Sequence, residues 1–127
     1  MGVWITKEIT TTGSDGEATG TADINLSYDA RIKKGGFVTK IQVDYRSMPA
    51  TTDVTIRERI PNGSFGDILT LTSQNTDVTK IVQLPSVSPT DVATGLYVFP
   101  SVGNIIQVDV AQADAAAPGV VVSVLIE

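Results

Sequence analysis

Any chemistry in this 127-residue chain would have to come from carboxylates. The sequence has no cysteine and no histidine, which removes thiolate nucleophiles, disulfides and Cys-based zinc sites, together with the commonest general base and metal ligand. Asp and Glu together number 14, and a glycosidase would need two of them facing each other across a cleft. Asp44, Asp53, Glu58 and Asp109 fall in strand-like segments. Three of these sit on the polar side of their alternation, where a solvated face accounts for them, so no catalytic residue is assigned and no enzyme is expected. Asp15-Gly16-Glu17, with Asp23 nearby, offers oxygens of the kind calcium accepts, but without the acidic ladder of an EF-hand a polar β-turn explains it. Gly35-Gly36 and Gly63-Ser64-Phe65-Gly66 do not lie between a strand and a helix, which makes them turns rather than phosphate loops. No cofactor and no metal are expected.

The residues left are those that could touch a partner. Arg57 and Arg59 share one face of a strand and Arg46 lies on the strand before it. They either meet an acidic partner surface or protect an exposed edge from aggregation. Trp4, the one tryptophan, is either an anchor in a neighbouring subunit or a piece of the chain's own core. Trp4, Ile5, Arg46, Arg57 and Arg59 are the candidate interface residues. Tyr45, Tyr97 and Phe99 are expected in the core or between sheets, and at 6% aromatic residues few rings then remain for stacking sugars. A net charge of −5 argues against nucleic acid, which demands clustered Lys and Arg. No apolar run reaches the roughly 18 residues that span a bilayer, and residues 1–12 carry Lys7 and Glu8 where a signal peptide is apolar, so neither a membrane partner nor Sec export is expected.

What must position these residues is β-structure. Val, Ile and Thr recur throughout, and 42% hydrophobic with 18% charged residues is the balance of a folded chain. Residues 3–12 alternate with a period of two, interrupted at Lys7. Ala22, Ile24, Leu26 and Tyr28 continue the pattern after Gly13-Ser14-Asp15-Gly16. After the Lys33-Lys34-Gly35-Gly36 turn, Phe37, Thr39, Ile41, Val43 and Tyr45 are predicted to face one way. Val54, Ile56 and Glu58 follow in phase, then short strands at 67–73 and 80–84, the last stopped by Pro85. Residues 86–94 read as a loop, 96–99 and 105–111 as a hairpin, 112–118 as an Ala-rich link, and 120–126 as a strand buried on both faces or central in a sheet. The sum is a single-domain all-β chain, a β-sandwich or jelly roll of eight to nine short antiparallel strands, with residues 1–12 an extended N-terminal arm or edge strand.

The segments Gly36-Phe37-Val38-Thr39-Lys40-Ile41, Thr51-Thr52-Asp53-Val54-Thr55-Ile56, Ile68-Leu69-Thr70-Leu71-Thr72-Ser73-Gln74-Asn75-Thr76-Asp77, Gly95-Leu96-Tyr97-Val98 and Asn104-Ile105-Ile106-Gln107-Val108 resemble small virion proteins of tailed bacteriophages. The resemblance covers residues 35–127. It implies a head decoration, or cement, protein: a β-sandwich that trimerises on the outer surface of the capsid and bridges major capsid protein subunits, with no catalytic motif. On that reading residues 1–12 pair with a neighbour's sheet edge. The alternative is a binding or adhesion module for a carbohydrate or a receptor, such as a tail or fibre component, and it predicts an exposed aromatic platform.

Overall fold

Alternation of β-branched with polar residues becomes strand along nearly the whole chain. The computed structural model describes residues 2–26, 36–60, 62–85, 97–103 and 105–127, and these contain no α-helix. The strands are β1 (Val3–Thr11), β2 (Ala18–Asn25), β3 (Gly36–Asp44), β4 (Asp53–Arg59), β5 (Phe65–Leu71) and β6 (Val78–Ile81). After them come β7 (Leu84–Pro85), β8 (Tyr97–Val98), β9 (Ser101–Val102), β10 (Ile105–Ala113) and β11 (Ala116–Ile126). One sheet runs β1-β11-β3-β6, with β9 also paired to β3; the second runs β2-β10-β4-β5; β7 and β8 form a separate ribbon. All pairings are antiparallel, and the two main sheets hold the nine strands of a β-sandwich.

The core lies between the sheets and is built from aligned inward rows. In the first sheet Ile5, Val124 and Ile41 are in register, as are Val122 and Val43; in the second, Ala22, Val108 and Ile56 align. The interior is almost wholly Val and Ile, with Tyr45 its one aromatic ring among the described residues. Each such fully buried side chain contributes about 1.5–3 kcal/mol relative to exposure. The sheets are tied at one end by the turn after β1, where the backbones of Thr12 and Thr19 bond to each other at 2.9 and 3.0 Å. Gly20 on β2 is required there, because a Cβ would strike the Thr10 carbonyl and the Ile9 side chain. The buried Thr11 hydroxyl donates to the Asp114 carbonyl at 2.6 Å, and the Gly16 amide donates to the Asp114 carboxylate at 2.9 Å, which fixes this turn to the β10–β11 connection.

Several expectations are corrected by the structure. The hairpin expected between 96–99 and 105–111 is not formed: β8 (Tyr97–Val98) pairs with β7, β9 crosses to β3, and β10 lies between β2 and β4. The Ala-rich 112–118 segment is mostly strand. β10 continues to Ala113 past a register shift, with Gln112 at φ 50°, and β11 begins at Ala116, so the link is two residues long. Pro85 belongs to a strand rather than ending one, on a two-residue ribbon that asks for little ladder bonding. β11 holds the central position expected of the most apolar segment, but only one face is deeply buried, since Val121, Ser123 and Leu125 look outward.

The phase of β3 also differs. A register shift between Leu125 and Ile126 places both Val38 and Thr39 inside, and Phe37 consequently points out. Tyr28, the Lys33-Lys34-Gly35 part of the predicted turn, residues 86–94 and Leu96 lie outside the described residues.

Candidate functional site

Sheet register assembles the outer face of the first sheet row by row. Trp4 on β1 is aligned with Leu125 on β11, Lys40 on β3 and Ile81 on β6, a line across four strands that spans about 14 Å at the usual strand spacing. These residues face outward because their neighbours in each strand, Ile5, Ile126 and Ile41 among them, face the core. Trp4 is 44% exposed and Ile81 66% exposed. The adjacent row on one side is Glu127 with Phe37 and Ser101, held by reciprocal Phe37–Glu127 backbone bonds of 2.8 and 2.9 Å. Phe37 is 53% exposed.

On the other side the row is Thr6, Ser123, Gln42 and Thr79, wholly polar, with the Thr6 and Ser123 hydroxyls 2.8 Å apart. The face therefore offers two rings and two aliphatic side chains flanked by hydroxyl and amide groups. Such a surface can hold a flat, amphipathic ligand whose faces are apolar and whose edges hydrogen-bond.

The outer face of the second sheet is different in kind. Arg57 on β4 donates from Nε to Asp67 on β5 at 2.9 Å and from Nη1 to Asp109 on β10 at 2.7 Å; Asp109 in turn accepts from the Thr21 hydroxyl of β2 at 2.9 Å. This polar chain crosses all four strands and satisfies itself. Arg59, two residues along the same strand, has its guanidinium 5.5 Å from the Phe65 ring centroid and no carboxylate partner among the described residues.

The sequence-derived candidates are thus divided. Arg57 and Arg59 share β4, Trp4 and Ile5 sit on β1 in the opposite sheet, and Arg46 occupies the turn after β3 at φ 54°, 3.5 Å from Asp44. Trp4 is on the surface rather than in the core, Ile5 packs against the core, and β1 pairs with the chain's own β11.

Three of the four strand carboxylates have structural partners. Asp44 holds Arg46, Asp109 holds Arg57 and Thr21, and Asp53 accepts the Ser73 amide at 2.8 Å. Glu58 occupies the inward position of β4 opposite Ile106, and this burial raises its carboxyl above the usual range. Asp15 and Glu17 lie in a turn closed by the Glu17 amide on the Ser14 carbonyl, and among the described residues no three Asp or Glu side chains converge as a metal site would require.

Phe37, Leu125 and Ile81 were not among the candidates. The signal available was cross-strand register, which only pairing reveals. Phe99, expected in the core, is 36% exposed instead.

No protein-family model and no curated protein matches the sequence. Among solved structures, a mutant of a family 29 carbohydrate-binding module matches 99% of this chain and 92% of its own, at 14% identity and a TM-score of 0.41. A family 32 carbohydrate-binding module from Clostridium perfringens NanJ, in complex with galactose, matches 96% and 93% at 11% identity and a TM-score of 0.44. Another module produced by Clostridium perfringens, in complex with GlcNAc-α-1,4-galactose, matches 95% and 88% at 9% identity and a TM-score of 0.46. These neighbours are carbohydrate-binding modules and not capsid components. The expectation of a capsid decoration protein that bridges major capsid subunits is corrected accordingly. Its physical weakness was the assumption that the core would consume the rings: among the described residues Tyr45 alone lies there, while Trp4, Phe37 and Phe99 are at the surface.

Proposed function

We propose that this protein is a non-catalytic binding module whose ligand is a saccharide lying on the outer face of the β1-β11-β3-β6 sheet. The single observation that carries the reading is the exposure of Trp4 and Phe37 on that face, within a core that needs almost no rings. A pyranose presents C–H groups on its faces and hydroxyls at its rim. The faces suit Trp4, Phe37 and Ile81; the rim suits Thr6, Ser123, Gln42 and Thr79, which lie one row away.

The arrangement is set before binding, because every one of these residues sits on a strand that is paired at that position. Little conformational entropy is then lost when a ligand docks. The supporting test is a screen of the protein against immobilised oligosaccharides, followed by calorimetry on the positives. Binding of one or more glycans with quenching or a spectral shift of Trp4 fluorescence is the expected result. A folded protein that binds no glycan in the screen overturns the reading.

A further inference from the structure

An open cleft of about 710 Å³ lies at one end of the sandwich, between the end of β4 and β9, and its volume falls in the range of about 300–1,000 Å³ usual for small-molecule sites. Its apolar lining is Ile60, Val102 and Ile105. Both walls are fastened by backbone bonds. The Ile60 amide donates to the Ser64 carbonyl and the Gly63 amide to the Ile60 carbonyl, each at 2.9 Å. Opposite them, β9 is paired to Gly36 and Phe37 of β3.

One charge enters this cleft from the core side. Val54, Ile56 and Glu58 occupy successive inward positions of β4. The first two are fully buried, and Glu58, opposite the buried Ile106, is the step at which the row leaves the core and lines the cleft. No ion pair among the described residues holds its carboxylate. Burial raises that carboxyl above its usual range, so the group is partly withdrawn from water without a protein partner in return. Arg59, the next residue, borders the cleft but belongs to the other face of the sheet. Its guanidinium lies 5.5 Å from the ring centroid of Phe65, which is not part of the lining.

We infer that this cleft binds a primary alkylammonium group, with the nitrogen on the Glu58 carboxylate and the aliphatic stem against Ile60, Val102 and Ile105. Other ligand classes fit less well. An anion is repelled by Glu58. A wholly apolar ligand removes the remaining water from a carboxylate and gives it nothing in exchange. A calcium ion takes six to eight oxygen ligands, and among the described residues no three Asp or Glu side chains converge. An ammonium on an aliphatic stem supplies both missing halves: a charge-assisted hydrogen bond in a site of lowered polarity, and methylene groups for the apolar wall. The same chemistry is carried by a free alkylamine and by the lysine side chain of another polypeptide. The inference is independent of the saccharide reading, because none of the side chains it invokes belongs to the platform.

The test is a titration of the full chain, followed by amide NMR at constant ionic strength, with n-butylammonium and with Nα-acetyl-lysine N-methylamide. Butan-1-ol and butyrate serve as the neutral and anionic counterparts. Shifts at Ile60, Gly63, Gly103 and Ile105 are expected with at least one of the two ammonium probes, and Glu58→Gln, which removes the charge and keeps the shape, is expected to weaken that binding by about tenfold. A response to n-butylammonium assigns the site to a free amine, and a response to the lysine derivative alone assigns it to a lysine side chain. Unmoved cleft amides with both probes overturn the inference, as does an equal response to butan-1-ol or butyrate. Shifts of equal size at the exposed Asp15 and Glu17 mark unspecific ion binding and overturn it too. If Glu58→Gln disturbs the fold, seen as loss of spectral dispersion, the comparison of n-butylammonium with butan-1-ol on the unaltered chain decides.

Discussion

Replacing Trp4 by alanine tests the platform at its largest ring. Trp4 is 44% exposed, so slightly more than half of its surface is covered by the sheet. A tryptophan buries at most about 250 Å², which at about 25 cal/mol per Å² sets the covered part at about 3.5 kcal/mol as an upper bound, lowered by residual compactness of the unfolded chain. Because β1 is held to β11 from Val3 to Ile9 by an unbroken ladder, the strand survives the substitution and the thermal midpoint falls by several degrees. The loss in binding is separate. Deleting a stacked ring at the centre of an interface costs about 2 kcal/mol, or about thirtyfold in affinity. Trp4→Phe keeps a ring face and is expected to lose far less. Calorimetry with an oligosaccharide bound by the unaltered protein, well below the midpoint of the variant, reads the difference. If folded Trp4→Ala protein binds with unchanged affinity, the ring is not part of the site and the face has been misassigned.

The remaining predictions concern the scaffold. Burial, with Asp53 and Asp77 nearby, raises the Tyr45 phenol to about 12 from its ordinary 10.0, so the unfolded chain ionises first and stability is lost as pH rises from about 10 to 12, by about 2–3 kcal/mol. Tyr45→Phe is expected to remove this alkaline loss and to leave neutral-pH stability equal or higher, since the hydroxyl has no partner among the described residues; urea titrations of both proteins from pH 9 to 12 measure the difference. Ile56→Ala, in a fully buried position between β10 and β5, is expected to cost about 2–5 kcal/mol in the same assay at neutral pH. Gly20→Ala drives a methyl into the Thr10 carbonyl and is expected to destabilise by more than about 2 kcal/mol, whereas Gly63→Ala, with open space around it, pays only for its positive φ and costs about 1 kcal/mol.

Period-two alternation was sufficient to place β1, β4, β10 and the second half of β2, each with one wet face and one dry face, while an apolar run placed the end of β11. It failed where geometry departs from strict alternation. At β3 the apolar run Phe37-Val38 admits two phases, and the register shift against β11 chooses the one that buries Val38 and expels Phe37. The hairpin expected before β10 failed for a related reason: β8 and β9 are two residues each, too short for a pattern to show that they pair with β7 and β3. Charges were legible as strand-borne, but their partners were not. Arg57 and Arg59 are equivalent in sequence, yet only Arg57 has Asp67 and Asp109 within reach across the neighbouring strands. The platform was least legible of all, since Trp4, Leu125, Lys40 and Ile81 are brought together by pairing alone.

The same register shift links fold and proposed function. By admitting both Val38 and Thr39 to the interior it leaves the Thr39 hydroxyl buried without a partner among the described residues, which costs stability. The return on that cost is position. Phe37 is turned to the face that carries Trp4, and its strand is left paired to β9. A regular β3 would turn Phe37 toward the Val and Ile interior and remove the second ring from the platform. A bulge that leaves a hydroxyl unpartnered in the core while aiming a ring outward is the kind of local irregularity found beside binding sites. The valine- and isoleucine-rich interior makes this exchange possible, because the two sheets close on each other with Tyr45 as the one ring between them among the described residues, and leave Trp4, Phe37 and Phe99 for the surface.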